Sequence, residues 1–187
     1  MHIQFWTIGK NHEPYVNAGI SDFTKRINNY FPASWKIISS IKNASLHTEQ
    51  DLKRKEGELI LKMLESYDYL VTLDENGKSF NSVQLSSFLQ QRANESSRNL
   101  IFLIGGAYGI DQTVLNRANH IWSLSALTLP HQLVRLILAE QIYRACTILR
   151  NEKYHHSWFD FFPHIFIKKQ IRWPLRWSLS LLLHWYP

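Results

Sequence analysis

Through about residue 150 the chain alternates between short apolar runs and stretches in which apolar residues recur every three or four positions, the pattern of strands alternating with helices. His2–Ile8 reads as a strand, and Pro14 then suits the first turn of a helix with Val16, Ile20, Phe23, Ile27 and Tyr30 on one face. Trp35–Ile41 reads as a second strand. Thr48, with Asp51 three residues on, predicts a capped helix running to about Ser66. Tyr69–Leu73 reads as a buried strand that Asp74-Glu75-Asn76-Gly77 closes as a turn, after which Asn81 caps a helix carrying Leu85, Phe88 and Leu89. Asn99–Ile104 is the next strand and ends on Gly105-Gly106. A short helix begins near Asp111, Ile121–Leu124 forms a last strand, and a long helix spans about Gln132–Leu149. This order predicts an α/β layer structure with a largely parallel sheet.

Composition adjusts the picture in three places. At 187 residues, 45% apolar and 19% charged, the chain is expected to be globular, which excludes disordered and collagenous classes. A net charge of +6 and a pI near 9.5 favour a polyanionic partner without requiring one. The single cysteine, Cys146, excludes an intramolecular disulfide and a cysteine-rich zinc site, and suits packing in a reducing cytosol. MHIQFWTIGK lacks the pattern of a signal peptide, and no run of about 20 apolar residues occurs, so a cytoplasmic protein without a membrane span is expected.

From Ser157 the composition changes abruptly. These last 31 residues hold four of the seven Trp and four of the ten Phe, with prolines that break any long helix. The expected division is a folded domain over 1–156 and an irregular, aromatic-rich extension over 157–187, disordered or interfacial. Lys168, Lys169, Arg172 and Arg176 alternate with Trp and Phe as in membrane-surface peptides. Exposed aromatic content is more often a solubility liability, so an extension without selected function is preferred and membrane contact is not expected.

Four segments carry candidate chemistry. Leu103 to Gly109, LIGGAYG, runs from a buried strand into glycines that permit a tight turn or the close approach of a ligand; it is neither a dinucleotide fingerprint nor a phosphate loop. Leu124 to His131, LSALTLPH, offers backbone groups and apolar walls to a neutral, adenine-sized ligand, or is a buried loop whose hydroxyls satisfy local backbone groups. The long helix sets Arg135, Glu140 and Arg144 among apolar residues, where they form a salt-bridge network, face a subunit interface or grip phosphate. Tyr154-His155-His156 offers a near-neutral proton shuttle and a stacking ring, or a solvated end.

These segments share their order and spacing with a known family, together with Gly9-Lys10, Lys55-Glu56-Gly57-Glu58, Thr72-Leu73-Asp74, Gly77-Lys78, Trp122-Ser123, Leu133-Val134-Arg135, Glu140-Gln141 and Tyr143-Arg144-Ala145. From Met1 to about His156 the chain resembles the RlmH family of SPOUT-class ribosomal RNA methyltransferases. The resemblance implies a SPOUT-type parallel-sheet sandwich with a C-terminal trefoil knot, which no periodicity predicts because knots are nearly absent from proteins. It implies S-adenosylmethionine as cofactor, no metal, a homodimer, and methylation of N3 of a pseudouridine in 23S rRNA of the ribosome. Carried over, the cofactor contacts fall on Leu73, Gly105, Leu124, Ser125, Ala126, Leu127, Thr128 and Leu129, and bulk at Gly105 is expected to occupy the ligand's approach. His155 is the candidate base for the imide proton, Tyr154 the group stacking or hydrogen-bonding beside the target, and Arg144 the group orienting phosphate or imide oxygens. A non-catalytic ribosome-binding module and a tRNA methyltransferase of the same class remain as alternatives. Members of the family usually end a few residues after the Tyr-His pair, where this chain continues.

Overall fold

The computed structural model describes residues 1–41 and 48–154. Expectations that fall on His155 and on the extension over 157–187 lie outside the described residues.

Among the described residues, five apolar runs become β1 (His2–Ile8), β2 (Ala33–Ile38), β3 (Asp68–Ser79), β4 (Asn99–Ile104) and β5 (His120–Ser123). They form one parallel sheet in the order β2-β1-β4-β3-β5. Central β4 reads NLIFLI and is buried from Leu100 to Ile104, as a parallel strand covered on both faces must be. The intervening helices are α1 (Pro14–Ile27), α2 (Glu49–Met63), α3 (Ser82–Asn94), α4 (Gln112–Arg117) and α5 (His131–Leu149).

Ile27 of α1, Leu85 and Leu89 of α3, and Leu138, Ile142, Ala145 and Cys146 of α5 pack on one face of the sheet against Phe5, Val71, Phe102 and Trp122. Ile60 of α2 and Val114 of α4 pack on the other, against Trp6, Ile8, Leu70, Ile101 and Leu103. Crossovers toward the β2 edge thus use one face and crossovers toward the β5 edge the other, which a single crossover handedness requires.

The caps predicted at Thr48 and Asn81 form, and Asp111 adds a third. Thr48 Oγ1 accepts from the Asp51 amide at 3.2 Å, Asn81 and Gln84 make a reciprocal capping box, and the Asp111 side chain accepts from the Thr113 amide at 2.9 Å. Three boundaries differ from expectation. β2 begins at Ala33 and ends at Ile38 because its partner β1 ends at Ile8, leaving residues 39–41 nothing to pair with. Helix α2 stops at Met63, where the Asp68 carboxylate takes the Glu65 amide at 2.9 Å and starts the turn into β3.

The third difference matters most. Asp74-Glu75-Asn76-Gly77 does not end β3. Leu73 and Lys78 both register on Trp122 of β5, so the four residues bulge outward and the strand resumes parallel to β5. The Asp74 carboxylate still accepts from the Asn76 amide at 2.9 Å, as the local turn chemistry predicted. A Cβ on Gly77 would lie 2.7 to 2.8 Å from the backbone of Ile121 and Trp122, so only glycine lets the bulge close against β5.

Candidate functional site

In a parallel sheet the C-terminal ends of all strands emerge at one edge, and here three of them build a cleft. Its walls come from Leu73, Asp74 and Glu75 of β3, Ile104 to Ile110 after β4, Trp122 to Ser125 and Leu127 to Leu129 at and after β5, and His131 and Val134 in the first turn of α5. Its volume is about 380 Å³, in the range of small-molecule sites. Of the residues singled out for a cofactor, Leu73, Gly105, Leu124, Ser125, Leu127, Thr128 and Leu129 line this one cleft, while Ala126 does not.

The loop between β5 and α5 combines both readings of its sequence. Ser123 Oγ donates to the Ser125 carbonyl and Ser125 Oγ accepts from the Leu127 amide, each at 3.0 Å, so these hydroxyls serve their own loop. Leu124, Leu127 and Leu129 of the same loop line the cleft. The turn after β4 is tight: Gly109 has φ of +86 and its amide donates to the Gly106 carbonyl at 3.1 Å. A Cβ on Gly105 would stand 2.7 Å from Ile110 Cγ1 and 3.2 Å from the Gly109 carbonyl. A Cβ at Gly105 therefore collides first within its own loop, and through that loop it would reshape the cleft.

Electrostatically the cleft is one-sided. Asp74 and Glu75 are its acidic lining residues, and among the described residues no Lys or Arg lines it. Both carboxylates escaped the sequence reading because the bulge that projects them looked like a turn. Tyr108, an exposed ring, and His131 also line the cleft; each lies in a segment singled out from the sequence, though neither was named there as a site residue.

A second polar cluster sits further along α5. Glu140, whose side chain is 19% exposed, takes the Arg144 guanidinium as an ion pair, the Tyr154 hydroxyl at 3.1 Å and the Gln141 amide at 2.6 Å. Arg144 lies over the Tyr154 ring, 4.9 Å from its centroid, and Tyr154 meets Tyr143 edge-on at 4.7 Å. Burial first, and then the Glu140 charge, raises the Tyr154 hydroxyl above the usual phenol range, so Tyr154 acts as a proton-bearing donor and a ring. The structure thus brings Tyr154 and Arg144 together and adds Glu140 as the acceptor that joins them. Its i, i+4 spacing to Arg144 was the legible signal.

The two clusters are apart within one chain. Val134 in the cleft wall and Arg144 are separated by ten residues of α5, or about 15 Å of helix rise. Among the described residues no group of three or more His, Cys, Asp or Glu gathers where it could hold a metal ion, and no helix is long and apolar enough to cross a membrane.

Residues 1–155 match the family model described as a predicted SPOUT methyltransferase. The chain is similar to two proteins named ribosomal RNA large subunit methyltransferase H. That of Cytophaga hutchinsonii is 44% identical over 156 residues, covering 83% of this chain and 100% of the relative. That of Flavobacterium johnsoniae is 46% identical over 157 residues, covering 84% and 100%. Among solved structures, a probable methyltransferase from Bordetella pertussis Tohama I aligns over 78% of this chain and 94% of its own at 9% identity, with a TM-score of 0.49, a likeness too loose to weigh.

Proposed function

The chain belongs to the SPOUT methyltransferases, in the RlmH family, and from that premise we propose that it methylates N3 of a pseudouridine in 23S rRNA of the large ribosomal subunit, with S-adenosylmethionine as methyl donor. The observation that carries this reading is the convergence of Leu73, Gly105, Leu124, Ser125, Leu127, Thr128 and Leu129, from three separate segments, on one cleft with apolar walls and an acidic lip. Such a lining suits a ligand with a neutral base at one end and a positive centre at the other. When bound, the donor supplies a methyl group on a positively charged sulfonium.

The chain's own groups then have separate tasks. The loops after β4 and β5 close round the donor, and the trefoil knot of the family would be formed by this segment with α5. Arg144 and Tyr154 orient the target nucleotide, the guanidinium toward phosphate or imide oxygens and the ring beside the base. The imide proton must leave before or during attack, and His155 is the proposed base. The 15 Å of helix between Val134 and Arg144 favours a homodimer in which the cleft of one copy meets the Arg144 and Tyr154 of the other. A cytoplasmic enzyme acting on assembled ribosomes follows from the same reading.

Mass spectrometry of 23S rRNA from cells with and without the gene tests it. Loss of a single N3-methylated pseudouridine on deletion is expected, and an unchanged modification profile would overturn the reading. Calorimetry with S-adenosylmethionine separates the enzyme, which binds it, from a bare ribosome-binding module, which does not.

A further inference from the structure

The first turn of α5 forms part of the cleft wall through His131 and Val134, yet no side chain caps it: Pro130 precedes the helix and has none to offer. It is held instead by the loop between β1 and α1, more than a hundred residues away in sequence. Gln132 Oε1 accepts from the Glu13 amide at 3.1 Å, and Gln132 Nε2 donates to the Asn11 carbonyl at 3.3 Å. Arg135 Nη1 donates to the Lys10 carbonyl at 3.0 Å and to His12 Nδ1 at 3.3 Å, which requires the His12 tautomer with a free Nδ1 lone pair. His12 is itself set edge-on against Trp35, with centroids 4.8 Å apart. Gly9 opens this loop at φ of +116 with nothing within 4 Å of where a Cβ would stand, so the backbone conformation and not crowding calls for glycine.

Arg135 is the unusual member. It is 2% exposed, its Nε has no partner, and it forms no ion pair among the described residues. A guanidinium buried with no carboxylate bonded to it, favoured only by the Glu13 charge from further off, costs stability, and an apolar side chain of similar size would fill the space at less cost. What the apolar side chain lacks is the Nη1 amino group, which reaches the Lys10 carbonyl and His12 Nδ1 at once.

We propose that Arg135 is a positioning residue for methyl-donor binding: it clamps the β1–α1 loop to the first turn of α5 and so fixes the cleft wall formed by His131 and Val134. The inference rests on the donor reading of the cleft and goes beyond it, since Arg135 does not line the cleft.

The test is calorimetry of the full chain with S-adenosylmethionine, paired with thermal melting and with kinetics on ribosomes lacking the modification. Arg135→Met is expected to stay folded but to lose donor affinity by about tenfold or more, because a small displacement of a wall is enough to misplace the ligand. The KM for the donor should rise while kcat at saturation holds. Arg135→Lys, which keeps a donor nitrogen on a differently shaped head, should recover part of the affinity. Gln132→Ala should shift affinity in the same direction, and it carries the test if Arg135→Met fails to fold. Arg92→Met, a buried arginine on α3 that pairs with Glu95, should leave affinity unchanged. Wild-type affinity and KM in Arg135→Met, no change in Gln132→Ala, or an equal loss in Arg92→Met would each overturn the proposal. A wild-type chain that does not bind S-adenosylmethionine would instead overturn the donor reading beneath it.

Discussion

Replacing Arg144 with methionine in one copy of the chain and Leu127 with arginine in another should yield two proteins that are inactive alone and active together. Val134 in the cleft wall and Arg144 lie ten residues apart on α5, about 15 Å along its axis, whereas methyl transfer needs its reacting atoms about 3–3.5 Å apart. In the proposed dimer each reaction site takes its cleft from one copy and its Arg144 from the other. Leu127 is 75% exposed and lines the cleft, so Leu127→Arg sets a cation against the sulfonium without disturbing the core. Arg144→Met leaves Glu140 two donors, the Tyr154 hydroxyl and the Gln141 amide, so the stability lost is about 1 kcal/mol. After the two variants are mixed and their subunits exchanged, half of the dimers are hybrids with one intact site of two, which gives about a quarter of wild-type activity. Incorporation of labelled methyl groups into ribosomes lacking the modification reads this directly. Hybrids that form but stay inactive, or Arg144→Met chains that are fully active alone, would refute the shared site.

Three further outcomes follow from single contacts. Gly105→Ala forces a Cβ to within 2.7 Å of Ile110 Cγ1, which should lower stability by about 1–3 kcal/mol and weaken donor binding; adding Ile110→Ala should restore binding in part, and a double variant no better than the single would place the conflict elsewhere. Burial, and then Lys78, holds His120 below the usual imidazole range, so the folded chain resists a proton that the unfolded chain accepts. That stability is complete above about pH 6.5 and is lost as pH falls further. Melting temperatures between pH 8 and 5 should therefore fall less steeply in His120→Phe, whose ring can keep the stack on Phe80; His12, shifted the same way by burial and Arg135, retains part of the slope, and equal slopes would refute the assignment. Cys146 is 0% exposed and burial pushes its thiol up to about 12, so thiol reagents at pH 8 should label it only at the rate of global unfolding; fast labelling of the native chain would show that the core opens locally.

What the sequence determined by itself was local. Thr48, Asn81 and Asp111 cap helices through contacts two or three residues away, and short apolar runs and an apolar period near 3.6 mark strands and helices, so each was readable without the rest of the chain. Residue patterns also marked the segments proposed to hold the cofactor, because part of the family resemblance lies in the loops that end β3, β4 and β5. Only the tertiary structure decided what those pieces do to one another. Asp74 to Gly77 has genuine turn chemistry, yet β5 pairs on both sides of it and makes it a bulge that carries two carboxylates to the cleft. Glu140 and Arg144 could be paired on the helix from their spacing, but that Tyr154 returns to the same carboxylate depends on where the chain goes after α5. Arg135 read as one charge among several. Its burial, and its hold on Lys10 and His12, exist only because a parallel sheet brings the end of β1 beside the start of α5.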